Sequence, residues 1–570
     1  VVANLAIQPS PRGSYKRLIL GVKRLGDQPC ELAYERNRLG KVVCERQNGQ
    51  SSRHAWDSIG RRISRSLPGG HVSRYQYDNN DALAALAHTL SDGSSHRLEF
   101  ERNQVGAATR MQATTRMQAT TRMQATIGSQ ATIGSAAADE STDTWTHRFT
   151  LEQEHDAMDR LVSQRVRGAS PSTDVRAAVS RAAVSRAYHY DRGGRVTRID
   201  DLRWGKTEMV YDPSDRLRSF VRGDHREAFG YDAAGTVEEV LAGLADGGRR
   251  QNTWTHDVGN RLVSTGDASY EYDLRGRRTR MVAADPVSEG EAVTSYEWDT
   301  RDQLRAVTLP DGTRVAYSYD PLGRRQRKEH LAADGSLIRA VDFLWDGDTL
   351  CADRGQGEQW RVFVHHPTND LPLLQVERGE IFTCINDQVG VVRELMDQSG
   401  HVAWSGSYSA WGTLLDSGAD ETSANIRGRA IASPFRLLGQ YHDSETGLSC
   451  TRYRYFDAQT ARWCSPDPIG IAGGMNIFGF NWSPTIVADP LGLSDGDGHG
   501  GDKEVSAKAR LLREGPNGTV ATVKTKKEAD ALLKEAFPDY QKVRGVGPQD
   551  SEGARKKRTM DRFKQGGAYH

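Results

Sequence analysis

Residues 434–493 read PFRLLGQYHDSETGLSCTRYRYFDAQTARWCSPDPIGIAGGMNIFGFNWSPTIVADPLGL. The stretch contains two copies of an Asp-Pro-aliphatic-Gly-aliphatic pentapeptide, which begin at Asp467 and Asp489. The chain before it is repetitive and rich in aromatic residues and glycine, whereas the chain after it is rich in lysine. The two pentapeptides therefore lie beside a boundary between two kinds of sequence.

Each pentapeptide on its own favours a turn, because Asp, Pro and Gly suit the first, second and fourth positions of a type I β-turn. Two copies whose aspartates are 22 residues apart also suit a catalytic pair. Two carboxylates held close together cannot both ionise, so one can activate a water while the other, protonated, polarises a carbonyl. The sequence supplies such a pair but leaves open whether the two turns face each other.

Residues 1–433 contain a repeat in which an aromatic residue precedes an aspartate and a turn. Clear examples are YHYDRGGRVTRI, YEYDLRGRRTRM and YSYDPLGRRQRK, which begin at Tyr188, Tyr270 and Tyr317. The alternation around a Gly turn predicts β-hairpins, and its recurrence predicts stacked units with a shared core. We expect the turn aspartates to accept backbone hydrogen bonds, the tyrosines to pack within sheets and most repeat arginines to form a solvated face.

The block GQYHDSETGLSCTRYRYFDAQTARWCSPDPIGIAGG, together with the later DPLGL, resembles the core-associated domain that ends the shell of Rhs/YD-repeat polymorphic toxins. It is also similar to the C component of insecticidal toxin complexes. The resemblance implies a mainly β fold, in which a spiralling YD-repeat sheet forms a hollow cocoon or barrel and a small α-rich or α+β domain follows. It implies four regions: a YD-repeat β shell over 1–433, an aspartyl autoprotease domain over 434–493, a linker over 494–502 and a C-terminal toxin domain over 503–570.

The resemblance also implies a catalytic site, because in that family the shell cuts itself directly after the second pentapeptide. Asp467 and Asp489 match the paired aspartates, and the implied cut lies between Leu493 and Ser494. Arg454, in the segment RYRYFD, matches the family's supporting arginine. The implied reaction needs no cofactor and no metal.

Composition limits the other classes of function. The charges nearly balance, with 76 Lys and Arg against 75 Asp and Glu, so no nucleic-acid signal covers the whole chain. No apolar run approaches the length of a membrane-spanning helix, and no signal peptide is recognisable. The six cysteines lack CxxC spacing, so we expect reduced core thiols.

Residues 109–135 and 175–187 are tandem duplications, which we interpret as low-complexity loops or joined fragments of sequence.

The segment after the linker is basic. From Lys503 onward it has 16 Lys and Arg and nine Asp and Glu, a net charge of about +7. Residues 525–537 predict a capped helix and residues 543–548 a loop. A second predicted helix contains a basic run formed by Arg555, Lys556, Lys557 and Arg558. This run suits contacts with nucleic-acid phosphates, although a solvated helix face explains it equally simply.

The resemblance implies a secreted, self-cleaving shell that encapsulates an antibacterial effector and releases it, through type VI secretion, into target cells; the basic tail favours a nuclease as that effector. The implied partners are the chain's own C-terminal toxin fragment, an immunity protein, a nucleic-acid target, and a secretion spike and chaperone that act through an N-terminal part absent from this sequence. The toxin's own cofactor stays open. Two alternatives remain: the effector is an ADP-ribosyltransferase, or the whole chain is a YD-repeat adhesion or carbohydrate-binding surface protein.

Overall fold

The computed structural model describes residues 2–9, 15–23, 30–104, 106–116, 145–168, 183–233, 235–243, 249–284, 290–420, 430–480, 483–493, 541–546 and 557–562. Within these ranges the chain forms β-strands and one short 3-10 helix, Gly470–Gly473, with no α-helix. The predicted mainly β, YD-repeat fold is therefore confirmed. In the described part of the chain, no helix is long and apolar enough to cross a membrane.

The first nineteen strands form one antiparallel sheet, in which each strand pairs with the next one along the chain. These strands are β1 (Val2–Pro9), β2 (Tyr15–Lys23), β3 (Cys30–Arg36), β4 (Val42–Gln47), β5 (Gln50–Trp56), β6 (Arg62–Leu67), β7 (His71–Tyr77), β8 (Leu83–Thr89), β9 (Ser95–Arg102), β10 (Ala108–Arg116), β11 (Thr146–His155), β12 (Leu161–Gly168), β13 (Val184–Tyr190), β14 (Val196–Asp201), β15 (Gly205–Tyr211), β16 (Leu217–Arg222), β17 (His225–Tyr231), β18 (Val237–Gly243) and β19 (Arg249–Thr253).

The next sixteen strands form a second antiparallel sheet with the same neighbour-to-neighbour pairing. These strands are β20 (Thr255–Asp257), β21 (Arg261–Ser264), β22 (Ala268–Tyr272), β23 (Arg278–Ala284), β24 (Glu291–Trp298), β25 (Leu304–Thr308), β26 (Arg314–Tyr319), β27 (Arg325–Leu331), β28 (Leu337–Asp346), β29 (Thr349–Gly355), β30 (Arg361–His365), β31 (Pro372–Glu377), β32 (Glu380–Asn386), β33 (Val392–Met396), β34 (Val402–Tyr408) and β35 (Leu414–Gly418).

Many YD turns are fixed by the aspartate that begins them. Asp191 Oδ1 accepts the backbone N–H of Arg195, four residues later, at 3.0 Å, and Asp191 Oδ2 accepts the Arg195 Nε–H at 2.6 Å. Asp320 and Arg324 repeat these two bonds at 2.9 and 2.6 Å. The predicted role of the turn aspartates is confirmed. The predicted solvated role of the repeat arginines is wrong at these positions, because the arginine four residues after the aspartate, here called position +4, pairs with its own turn.

The residue five positions after the turn aspartate, here called position +5, faces the core. Because it stands at or beside the start of the returning strand, its side chain points to the buried side of the sheet. Seven repeats place a buried aliphatic residue there: Leu83, Leu161, Val196, Leu217, Val237, Leu262 and Leu304. Position +5 thus supplies the repeated apolar row on which the sheets pack.

The two large sheets meet through their buried faces. One hydrophobic cluster combines residues of the first sheet, such as Phe220 and Phe229, with Phe343 and Phe382 of the second. Polar contacts cross the same interface, including a 2.5 Å bond from Arg186 Nη2 to Glu394 Oε1. The buried repeat tyrosines confirm their predicted role in sheet packing. Closure of the sheets into a hollow cocoon stays a prediction.

A small four-stranded sheet lies within residues 434–493. Its strands are β36 (Tyr441–His442), β37 (Leu448–Cys450), β38 (Tyr455–Asp457) and β39 (Arg462–Trp463). Tyr441, Phe456 and Trp463 belong to the cluster that joins the two large sheets. The small sheet therefore packs against both large sheets.

The duplicated segments lie partly in strands, and the described cysteines lie in the core. The start of the first duplication lies in β10 and the end of the second in β13, so these parts are not loops. In β10, burial alternates at Met111, Ala113 and Thr115, which is the pattern of a packed strand. Cys44, Cys351, Cys384, Cys450 and Cys464 are free and buried, as expected for reduced core thiols.

In the tail, β40 (Gln541–Val546) pairs with β41 (Lys557–Arg562). The loop predicted over 543–548 and the second helix predicted around Arg558 are therefore wrong where these strands lie. Met560 is the one apolar residue of β41, so no apolar face at helical spacing exists there to favour a helix. The helix predicted over 525–537, the linker and Arg555 and Lys556 lie outside the described residues.

Candidate functional site

Both pentapeptides form turns that their own aspartates stabilise. Asp467 Oδ1 accepts the backbone N–H of Ile469 at 2.9 Å. Asp489 Oδ1 accepts two backbone N–H groups, from Gly492 at 2.8 Å and from Leu493 at 2.9 Å. In each case the second carboxylate oxygen is left to face other parts of the site, so a turn role and a second role coexist.

The two turns are brought together at one guanidinium group. Arg454 Nη2 lies 2.7 Å from Asp467 Oδ2 and 3.6 Å from Asp489 Oδ2. The two carboxylate oxygens are therefore at most about 6.3 Å apart. The side chains of Arg454 and Asp467 are fully buried and that of Asp489 nearly so. The structure thus brings all three predicted site residues into one buried cluster.

Arg454 is held in place on several sides. Its Nε donates to the carbonyl oxygen of Gly492 at 2.5 Å, and its Nη1 donates to that of Ile477 at 3.2 Å. Ile477 in turn accepts the backbone N–H of Asp467 at 2.8 Å. The guanidinium carbon lies 4.3 Å from the ring centre of Trp463, a favourable cation–π distance. Arg454 therefore contacts the backbone that supports each aspartate as well as the carboxylates themselves.

The electrostatics of Arg454 reflect this environment. Burial lowers the pKa of Arg454, because a charged guanidinium loses its hydration inside the protein. The negative charges of Asp467 and Asp489 oppose this effect. The carboxylates are thus the groups that compensate a cation enclosed in the core.

Glycines allow the backbone to pack closely around the site. A Cβ atom on Gly473 would lie 2.3 Å from Asp467 Oδ2, and one on Gly492 would lie 2.5 Å from Thr451 Oγ1. Gly492 also has a φ of +77°, a left-handed conformation that favours glycine. Any larger residue at Gly473 or Gly492 would therefore displace the groups that form the cluster.

The residue before the predicted cut lies beside the cluster. Leu493 is 3% exposed and packs with Ile469 of the first pentapeptide. Because its N–H is bound by Asp489, its position is fixed one peptide unit from the predicted scissile bond. Ser494 lies outside the described residues.

Two residues of the site were not predicted. Trp463 supplies the aromatic surface for Arg454, and Gly473 leaves the space occupied by the Asp467 carboxylate. The Gly473-Gly474 pair, shortly after the first pentapeptide, could have indicated Gly473 from the sequence. Across the described ranges, no group of three or more His, Cys, Asp or Glu residues could hold a metal ion.

The repeated hairpins, the paired sheets and the embedded small sheet define a YD-repeat shell protein. The Teneurin YD-shell family model matches residues 181–472, about half of the chain. The chain therefore belongs to the YD-shell family, and its resemblance to Rhs/YD-repeat polymorphic toxins is confirmed.

Several toxins resemble the chain over part of their length. It is 32% identical over 340 residues to Double-stranded DNA deaminase toxin A of Burkholderia cenocepacia (strain H111), a match that covers 54% of this chain and 22% of that protein. It is 30% identical over 397 residues to Probable deoxyribonuclease RhsA of Dickeya dadantii (strain 3937), covering 68% and 25%. The chain thus spans about a quarter of these curated relatives.

A solved structure also aligns with the chain. The crystal structure of TcdB2-TccC3-Cdc42 gives a TM-score of 0.31 at 14% identity, and the alignment covers 85% of this chain and 31% of that one.

Proposed function

We propose that residues 434–493 form an intramolecular aspartic protease, which cuts the peptide bond between Leu493 and Ser494 with Asp467 and Asp489. The observation that supports this proposal is the contact of both carboxylates with the single buried guanidinium of Arg454.

Charge balance in the cluster favours the protonation state that this chemistry needs. Two ionised carboxylates beside one guanidinium would leave an uncompensated negative charge in a buried site, which is costly. One proton bound by the pair removes that charge. The pair then has one ionised carboxylate, which can act as a base, and one protonated carboxyl, which can donate a hydrogen bond.

The proposed reaction is hydrolysis. The ionised carboxylate takes a proton from a water molecule, whose oxygen bonds to the carbonyl carbon of Leu493, while the protonated carboxyl gives its proton to the carbonyl oxygen. The tetrahedral intermediate then breaks its C–N bond. The nitrogen of Ser494 takes the proton that the first carboxylate received from the water, and one hydroxyl of the intermediate gives its proton to the other carboxylate, which restores the pair. The products are a chain ending at Leu493 and a chain starting at Ser494. The hydrogen bond from the Leu493 N–H to Asp489 aligns the scissile peptide beside the pair.

Substitution of each aspartate by asparagine tests this proposal. Asp467→Asn and Asp489→Asn remove a carboxylate but preserve side-chain size and turn preference. We expect intact-mass analysis of the wild type to show a fragment that starts at Ser494, and each variant to remain one chain. Asp191→Asn is the matched control, because Asp191 holds a repeat turn with Arg195 and does not contact the cluster. A cluster variant that is still cut after Leu493 would refute the assignment.

For the whole chain we propose a delivery shell that retains its cleaved C-terminal segment and releases it in a target cell, through type VI secretion. Family membership and the toxin names of the relatives support this proposal. Native size-exclusion chromatography should co-elute the two fragments, and added protease should spare the tail until denaturant opens the shell. Separation of the fragments without denaturant would contradict retention.

We propose further that the released segment acts on nucleic acid. Its net charge of about +7 from Lys503 onward supports this, as do relatives named as a DNA deaminase toxin and a deoxyribonuclease. The natural full-length tail, incubated with DNA, RNA and labelled NAD, should bind or modify a nucleic acid. Intact, unbound nucleic acids together with label transferred to protein would instead identify a transferase.

A further inference from the structure

Three repeats depart from the pattern at position +5. Where other repeats have a buried aliphatic residue, these three have a second arginine, in the sequence Gly-Arg-Arg, and each of these arginines begins a strand of a large sheet. They are Arg62 of β6, Arg278 of β23 and Arg325 of β27. An arginine directed into a core is costly unless a partner compensates its charge. Each therefore has to meet an acidic group from elsewhere in the chain.

Arg278 meets the small sheet. Its Nη1 donates to Asp457 Oδ2 at 2.7 Å, and its backbone N–H donates to the carbonyl oxygen of Cys464 at 2.9 Å. The Arg278 side chain is 1% exposed, with its guanidinium carbon 4.7 Å from the ring centre of Tyr270. One residue thus attaches β23 to two points of the segment that contains the aspartate cluster.

Arg325 makes the corresponding contact one hairpin earlier in the small sheet. Its Nη1 donates to Asp443 Oδ2 at 2.6 Å, and both side chains are buried. Lys328, on the same strand, donates to Asp443 Oδ1 at 3.1 Å. Two cations of β27 therefore hold one aspartate of the small sheet.

Asp443 and Asp457 are themselves turn aspartates, each preceded by an aromatic-rich strand. In shell repeats that have an arginine at position +4, such as Asp191 with Arg195 and Asp320 with Arg324, the aspartate pairs with that arginine. Here position +4 is Gly447 after Asp443 and Ala461 after Asp457, so neither turn can supply that arginine. The second arginines of two distant shell repeats take its place.

The two contacts lie on either side of Arg454. Asp443 starts the turn between β36 and β37, and Asp457 ends β38. Arg454 stands between them in the chain, in the loop that joins β37 to β38. Fixing both turns therefore fixes the loop that places the Arg454 guanidinium between Asp467 and Asp489.

We propose that Arg278 and Arg325 are positioning residues for self-cleavage, which make the reaction depend on docking of the small sheet onto β23 and β27. The inference rests on the proposed autoproteolysis. Neither arginine touches the scissile bond; each acts through an aspartate of the small sheet and, through that sheet, on Arg454. A shell in which β23 or β27 is not formed would keep its tail attached.

Arg62 provides the matched control. It occupies the same position +5 and pairs with Asp346 through two bonds of 2.5 and 2.9 Å, but Asp346 belongs to β28 and not to the small sheet. Arg62→Leu, Arg278→Leu and Arg325→Leu each restore the aliphatic residue that other repeats have there. The three variants therefore make the same chemical change, and two of them remove a contact with the cleavage segment.

The experiment follows cleavage during refolding of the full chain from denaturant, by intact mass against time, with urea unfolding of uncleaved Asp467→Asn versions to measure stability. We expect Arg278→Leu to slow cleavage at least about tenfold, because small displacements of reacting groups are costly. Arg325→Leu should slow it less, since Asp443 keeps Lys328. Arg62→Leu should cut at the wild-type rate. Equal rates in Arg278→Leu and Arg62→Leu, at matched stability, would overturn the inference.

A second variant separates positioning from loss of stability. Arg278→Leu with Asp457→Asn removes the unpaired carboxylate that the single change leaves buried, and the asparagine oxygen can still accept the Gln459 N–H that Asp457 binds. We expect this double variant to regain stability in urea but to cut as slowly as Arg278→Leu, because the contact that docks the small sheet is still missing. Cleavage of the double variant at the wild-type rate would overturn the inference. If the wild type is not cut, or if Asp467→Asn is cut, the proposed protease itself is wrong. These results differ from those that would overturn the positioning role of Arg278 alone.

Discussion

Replacing Gly473 by alanine tests whether the position of the Asp467 carboxylate controls cleavage. The added Cβ would lie 2.3 Å from Asp467 Oδ2 and 2.7 Å from its Cγ. Both distances are below those that real Cβ atoms show, so either the carboxylate or the backbone must move. Gly473 does not have a left-handed φ, so the alanine causes no backbone strain of its own.

The size of the effect follows from the distances. An ordinary contact between these atoms begins at 3.4 Å, so Asp467 Oδ2 has to move by about 1.1 Å. That movement is large beside its 2.7 Å contact with Arg454 Nη2. A displacement of about 1 Å at a reacting group costs roughly a hundredfold in rate. Overpacking at one buried position costs about 1–3 kcal/mol, which a large β protein can tolerate.

The assay is the refolding time course, read by intact mass as the appearance of the fragment that starts at Ser494. Gly168→Ala is the control, because Gly168 also lacks a left-handed φ and a Cβ there would meet nothing within 4 Å. We expect wild-type kinetics for this control and about a hundredfold slower cleavage for Gly473→Ala. If Gly473→Ala folds and is cut at the wild-type rate, the position of the Asp467 carboxylate does not control the reaction.

Three further predictions concern other parts of the molecule. Trp463→Leu should slow cleavage about tenfold and Trp463→Phe much less, because only an aromatic ring stabilises the Arg454 guanidinium through its face; equal rates by the same assay would contradict this. Burial lowers the pKa of His54 to about 4 and the pKa of His96 to about 3. As the pH falls, these histidines take up protons in the unfolded chain before they do so in the folded chain, so the free energy of unfolding should decrease from pH about 7 to about 5.5. A urea midpoint that stays constant over this range would contradict the prediction. Alanines throughout 555–558 should weaken nucleic-acid binding and flatten its salt dependence in titrations, and an unchanged salt slope would exclude phosphate contacts by this run.

The parts of the fold that the sequence predicts are local. A turn such as Asp191 to Arg195 forms within five residues, so its pattern of aromatic residue, aspartate and glycine is visible in the chain itself. The pairing of Asp467 with Asp489 could be predicted for another reason: two copies of one pentapeptide, with aspartates 22 residues apart, are unusual and suggest a shared role. That the two face each other depends on Arg454, which only the folded chain places between them.

The missed features depend on distant contacts. Arg278 and Arg325 find their partners 179 and 118 residues away, and no local pattern names those partners. The doubled arginine after the turn glycine was a usable signal, since it replaces an apolar residue that the repeat otherwise requires. In the tail the helix predicted around the basic run is wrong at its second half, because Lys557 and Arg558 lie in β41, which pairs with β40.

The neighbour-to-neighbour pairing of the large sheets has a consequence for the order in which the chain folds. Every described strand of the two sheets pairs with the strand next to it in sequence, and hairpins such as β13–β14 and β26–β27 close short loops at small entropic cost. The contacts from Arg278 and Arg325 to the small sheet close loops of more than a hundred residues and have to form late. During synthesis, the hairpins can therefore form before residues 434–493 have left the ribosome. Because contacts between distant residues form later than hairpins, the aspartate cluster is expected to assemble after the large sheets.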